Sequence, residues 1–151
     1  MNGAHLHLLI NHAPVVGLAF ATAALAYALV VKHPAVRQLA LLLTVVAGLS
    51  AIGAFLTGDP AEDVAEKLPD VTKAMIHEHE DAADYALWTC QITALAALAA
   101  LILPRARPQS TLSSKLFVAT LLLALFTDTV LARTAWLGGQ IRHTEIRGAT
   151  P

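Results

Sequence analysis

Cysteine is almost absent: Cys90 stands alone in 151 residues. That excludes an internal disulfide framework and a thiolate zinc cluster, since both need several thiols. Charge is scarce too, at 14% of the chain against about 25% in an ordinary soluble domain. Ten basic residues face eleven acidic ones, so no positive excess exists to hold a nucleic acid. Aromatics are only 5% while Ala and Leu are abundant, which does not suggest a β-barrel. No Ser-His-Asp arrangement, phosphate loop or nucleotide fingerprint is visible, which argues against a hydrolase, a kinase or a dinucleotide enzyme.

What remains is apolar. Hydrophobic residues make up 56% of the chain and mean hydropathy is +0.61. Four apolar stretches of spanning length are predicted, over about 8–31, 39–57, 85–103 and 116–137. About 20 residues at 1.5 Å rise cross a ~30 Å hydrocarbon core, so each suffices. The expected fold is an all-α integral membrane four-helix bundle forming one domain over 1–151. Breakers fall between the spans: His33-Pro34, Gly58-Asp59-Pro60, and the run Pro104-Arg105-Ala106-Arg107-Pro108. The opening lacks Lys or Arg before its apolar run and shows no clear cleavage site. Met1 to Val31 is therefore read as a retained helix rather than a signal peptide.

Loop charge sets the expected orientation. Lys32 and Arg37 lie between spans one and two, and Arg105, Arg107 and Lys115 between spans three and four, with no acid in either turn. The positive-inside rule places both turns in the cytoplasm. A multi-pass protein of the bacterial inner membrane follows, with both termini and the 58–84 connection periplasmic. Pro69-Asp70 can start a helix, and 71–84 contains no Gly or Pro. Span three is therefore expected to extend outward by about two or three turns. Residues 60–67 suit another short helix, and Gly138-Gly139 suits a close approach or a break.

The histidines are polarised. Only His33 lies on the cytoplasmic side, while His5, His7, His12, His77, His79 and His143 lie at or near the outer ends of three spans. A merely exposed set would spread over both sides, whereas one shared depth suits one site. His5 is close enough to the terminus to fray. His12 sits in an apolar span beside Asn11 and before Pro14, where a buried polar group needs a partner. His77 and His79 are two apart, so they occupy different helix faces. His79 shares a side with Ala83 and Ala86, while His77 shares one with Asp81 and Asp84. The bundle is expected to take His79.

Acids cluster on the same side, and for most of them a solvated loop is explanation enough. His79-Glu80 and His143-x-Glu145 differ, because a carboxylate beside an imidazole can orient it or bind metal itself. Span four carries Asp128 near its middle and Arg133 beyond it. An ionisable residue at that depth is paired or functional. Gln91 and Thr93 are the expected partners for Asp128, in a polar clamp or in a proton or quinone contact. Trp88 and Trp136 suit an interfacial aromatic belt.

Several runs stand out together: His5 to Pro14, Gly58-Asp59-Pro60-Ala61-Glu62-Asp63, Leu68-Pro69-Asp70, Ile76 to Ala83, and Leu137 to Arg147. Through them the chain resembles a group of small bacterial four-helix membrane proteins with no assigned function. It is also similar to the uncharacterised membrane domain sometimes fused to Rieske or cytochrome c domains. The resemblance covers nearly the whole chain and implies a membrane-embedded redox or metal role. His7, His12, Glu62, His79, Glu80, His143 and Glu145 match the group's pattern. His5 and His77 are less regular in it, and Asp128 is outside it.

Three functions are expected to compete. The first is electron transfer through haem b near the periplasmic side. Its axial ligands would come from His12, His79 and His143, with Gly138, Gly139 and the Ala-rich face of span three making room and Arg142 meeting a propionate. A redox protein or a quinone would be its partner. The second is a non-haem iron, copper or zinc site. Nitrogen would come from His7, His12, His79 and His143, and oxygen from Glu62, Glu80 or Glu145. The third is a structural subunit whose histidines clamp helices together. The lipid bilayer is a partner in every case, and small-residue faces around Gly48 and Gly53 permit a homo-oligomer.

Overall fold

The computed structural model describes residues 2–106 and 111–147. Arg107 and Pro108, from the turn that bears on orientation, lie outside the described residues. Six α-helices run in chain order: α1 (Gly3–Ile10), α2 (His12–Val31), α3 (Pro34–Leu56), α4 (Gly58–Ala65), α5 (Lys73–Ala106) and α6 (Leu112–Arg142). A 3-10 turn, Thr144–Ile146, follows. The described residues are helical apart from short connections, with no strand among them. Four helical segments are long and apolar enough to cross a membrane: Gly3–Val31, Pro34–Leu56, Lys73–Leu103 and Leu112–Arg142. The protein is an all-α, multi-pass membrane bundle.

Local chemistry explains the boundaries. The first span divides into α1 and α2 at Asn11. Pro14 has no N–H for the Ile10 carbonyl and its ring crowds that carbonyl, so the ladder is interrupted one turn upstream. Asn2 caps α1, its Oδ1 accepting from the His5 amide at 2.9 Å. Lys32 closes α2 in the left-handed region with φ 57°, and His33 is extended before Pro34, which opens α3.

Three expectations about element ends are corrected. α5 begins at Lys73, so its outward extension is realised, but it continues through Pro104 to Ala106. The short helix after span two is Gly58–Ala65 and starts directly after Thr57. Gly138-Gly139 does not break α6, which runs on to Arg142.

α5 packs against α6 and α3, α3 against α2, and α2 more lightly against α6, closing a four-helix bundle. α1 lies chiefly on α4 at one end, hereafter the histidine end. The core is built of Ala and Leu with few large side chains. Small residues let backbones approach: a Cβ on Gly48 would stand 2.6 Å from Ala94 Cβ and 2.9 Å from the Cys90 carbonyl oxygen. Polar ties cross these contacts. Gln91 Nε2 donates to Gly48 O at 2.9 Å, and the Thr93 and Thr127 hydroxyls pair at 2.9 Å. At the opposite end the Arg37 guanidinium donates to Ser113 O at 2.6 Å and lies 4.4 Å over the Phe117 ring. Outward faces are apolar, with Phe20, Val30 and Leu56 each at least 70% exposed, as lipid contact requires. Trp88 and Trp136 are exposed as well.

Candidate functional site

Two half-buried imidazoles define the histidine end. His7 comes from α1 and His79 from the outward extension of α5. They are close enough to feel each other's charge, and His12 is that close to His7.

Each has its Nδ1 held by a fixed oxygen. His79 Nδ1 lies 3.1 Å from the Thr134 carbonyl oxygen on α6. A carbonyl only accepts, so Nδ1 carries the hydrogen, and a neutral His79 leaves its lone pair on Nε2. His7 Nδ1 lies 3.1 Å from Thr57 Oγ1. The Thr57 hydroxyl already has the Ala54 carbonyl at 2.9 Å and the Gly53 carbonyl at 3.0 Å as acceptors. With its single hydrogen spent there, Oγ1 accepts from His7 Nδ1. The two rings therefore share one tautomer, with the lone pair of each neutral ring on Nε2.

Local packing holds these rings. A Cβ on Gly138 would stand 2.9 Å from His79 Cε1 and 3.3 Å from Nδ1, so the imidazole fills the space a side chain would take. Thr134 adds a second tie between α6 and α5, its hydroxyl reaching Ala82 O at 3.0 Å. At α1, Gly3 sits directly against Pro60 at the head of α4, leaving no space for a Cβ. That contact sets the depth at which His7 meets Thr57.

One carboxylate, Glu80, lies near His79. Glu80 of α5 lies beside Glu62 of α4 and, with Glu66 nearby, holds the Glu62 carboxyl above the usual carboxylate range. Glu80 does not orient His79, as the adjacency of the two in sequence suggested. Its Oε2 lies 3.0 Å from Nδ1 of His77, one turn back on the same face. The face argument itself holds, since His77 is exposed and His79 half-buried.

Other expected residues are more exposed. His12 and Arg142 are exposed, and so is His5. His143 is exposed and lies 2.8 Å from Glu145 Oε1 through Nδ1, the pairing the sequence suggested. Glu145 is held below the usual carboxylate range by its own backbone amide and by His143. These two share a shallow hollow with Leu68, Pro69, Ile141 and Thr144. Among the described residues, no three His, Cys, Asp or Glu side chains converge as a ready metal cage.

The space beside the two glycines is occupied by neighbouring side chains. The His79 ring occupies the space at Gly138, and Ile146 Cδ1 comes within 3.4 Å of where a Gly139 Cβ would stand.

Residues 3–147 match the family model described as "Predicted membrane protein (DUF2231)". The chain belongs to this family. The match spans α1 through the 3-10 turn, so the DUF2231 region contains both imidazoles and their oxygen partners. No curated protein and no solved structure matches this DUF2231 chain.

Three contributors at this end were not expected from sequence. Thr57 and Thr134 hold the rings. Arg147 donates to Gln140 O at 2.7 Å, Ile141 O at 2.9 Å and Asp70 O at 2.6 Å, tying the end of α6 to the loop before α5. A basic residue just past a helix end was the available signal.

Proposed function

We propose that this chain is a membrane-embedded metal-binding protein, with Nε2 of His7 and His79 as its nitrogen donors. The observation that carries the reading is the shared tautomer. Both Nδ1 atoms donate to fixed oxygens, the outer-shell arrangement that orients ligating imidazoles and raises their basicity. The neighbouring carboxyls of Glu62 and Glu80 supply oxygen donors close by, and their mutual repulsion favours a cation between them. Imidazole with carboxylate suits iron, copper or zinc. The metal would supply Lewis acidity or electron exchange, while the chain's own residues hold the two rings in place.

The site would face the periplasm of a bacterial inner membrane. Support for this comes from Lys32, Arg37 and Lys115, which cluster at the end opposite the histidines, as the positive-inside rule requires of a cytoplasmic face.

A second reading keeps haem b and electron transfer to a redox protein or quinone. It rests on the count of two neutral imidazoles on separate helices, which suits bis-histidine ligation by His7 and His79. It is the weaker reading because the space at Gly138 and Gly139 is occupied. The test is the metal content and visible spectrum of the detergent-purified full chain. Stoichiometric iron, copper or zinc without a Soret band supports the first reading, and a Soret band supports the second. If neither metal nor haem is retained, and added zinc, copper and iron do not bind, both fail.

A further inference from the structure

The buried threonines of this bundle follow one rule with one exception. Thr44, Thr89, Thr93 and Thr120 each donate to a carbonyl of their own helix at 2.8–3.0 Å. Thr127 pairs with Thr93. Thr22, on α2, is 93% buried, and its hydroxyl makes no hydrogen bond. An unpaired buried hydroxyl is costly, so its exception calls for a partner.

The group facing it is a carboxyl. Asp128 of α6 lies against the Thr22 hydroxyl, close to hydrogen bonding but short of full geometry. Both residues sit near the middle of their helices, Thr22 about 14 Å and Asp128 about 21 Å or more from either end at 1.5 Å per residue. Asp128 is half-buried in the seam between α2 and α6, the lightest of the bundle's four helix contacts, so it also meets the bilayer. From α5 its neighbour is Cys90, a thiol. The cations are elsewhere. Arg133 reaches Glu78 at 3.8 Å, and Arg37 is engaged at the end of the bundle. Among the described residues, none forms an ion pair with Asp128. The expected partners are taken too, Gln91 by Gly48 O and Thr93 by Thr127.

A lone carboxylate at that depth is disfavoured strongly enough that the group takes a proton instead. A metal ion would need more oxygen ligands than one carboxyl and one hydroxyl. We infer that Asp128 and Thr22 form an intramembrane proton-binding site, open to the lipid through the α2–α6 seam and separate from the histidine end. The acid O–H and the Thr22 hydroxyl satisfy each other when the proton is bound.

A lipid-soluble carbodiimide tests this on the full chain in vesicles. The protonated carboxyl adds its O–H across the reagent's N=C bond, and an O-to-N acyl shift leaves an N-acylurea with no leaving group and no redox change. With dicyclohexylcarbodiimide, peptide mass mapping is expected to find an adduct on Asp128. Above the group's pKa, labelling should fall about tenfold per pH unit. A water-soluble carbodiimide should not label it. Infrared spectra of the unmodified chain should show a carboxylic-acid C=O band that shifts in Thr22→Val and is missing in Asp128→Asn. The inference is overturned if wild-type Asp128 stays unlabelled, if the water-soluble reagent labels it equally, or if the acid band is absent at neutral pH.

Discussion

The His79 imidazole occupies the volume that a side chain on residue 138 would need, with Cε1 2.9 Å from the position of a Gly138 Cβ. The glycine is thus part of the seat of the ring. Gly138→Ala should push the imidazole off Gly138 and off the Thr134 carbonyl. Overpacking of this kind costs about 1–3 kcal/mol, only partly offset by the better helix propensity of Ala. Gly139→Ala is the comparison, because its nearest neighbour is the flexible tip of Ile146 at 3.4 Å. Thermal unfolding in detergent should show a clear loss for Gly138→Ala and little change for Gly139→Ala. Equal behaviour of the two would contradict the packing account.

The two rings should respond differently to loss of the threonine beside them. His7 depends on a hydroxyl, so Thr57→Val removes its acceptor. His79 depends on a backbone carbonyl, so Thr134→Val leaves its acceptor in place and removes only the tie to Ala82. Losing an outer-shell partner typically lowers metal affinity about 10–100-fold. Zinc titration should therefore show a loss of that order for Thr57→Val and a much smaller one for Thr134→Val. The same loss in both would mean that ring orientation is not what the threonines supply.

Much of this end was legible in the sequence, and what was missed has a common cause. Helical spacing alone separated His79 from His77, because a two-residue step rotates a side chain to another face. The short helix after span two was legible from its breakers. The acceptors of the imidazoles were not. Thr134 holds His79 through its main chain, which no residue type reveals, and Thr57 acts only because α1 docks where Gly3 meets Pro60. Glu80 was assigned to the wrong histidine because neighbours in sequence diverge on a helix, while residues three apart meet. Gly138-Gly139 suggested a close approach or a break, and the close approach is the one realised. Glycine beside a helix contact can equally admit another residue's ring, and here it does.

Acidity should act on Glu62 with a definite sign. Its folded pKa is raised, so its contribution to stability is fully present below the unfolded carboxylate pKa. That contribution is lost as pH rises through the folded value. In metal-free protein, Glu62→Gln should match wild type at acid pH and melt higher than wild type near neutrality. Melting temperature followed from about pH 4 to 7, across the carboxylate range, checks this. A Glu62→Gln protein that is less stable than metal-free wild type near neutrality would contradict the crowding of the Glu62 carboxyl by Glu80.

Arg147 should matter more than its place near the end of the chain suggests. Arg147→Ala removes its contacts to Gln140, Ile141 and Asp70 together. Charged-donor hydrogen bonds are each worth about 1.5–3 kcal/mol, less where solvent reaches them. The substitution should lower the melting temperature and raise amide exchange over 66–72 and 140–147. Exchange unchanged in 66–72 would show that the clamp on Asp70 is not formed in the membrane.

The central claim is that His7 and His79 together present two free Nε2 atoms to one metal. The most direct measurement is metal stoichiometry and K-edge absorption of the full chain, loaded with zinc, in detergent. Wild type is expected to bind one zinc per chain with two imidazoles in its first shell. His7→Ala and His79→Ala should each lose binding, while His143→Ala should keep it. Zinc retained in both single variants, or a first shell without imidazole, would contradict the account.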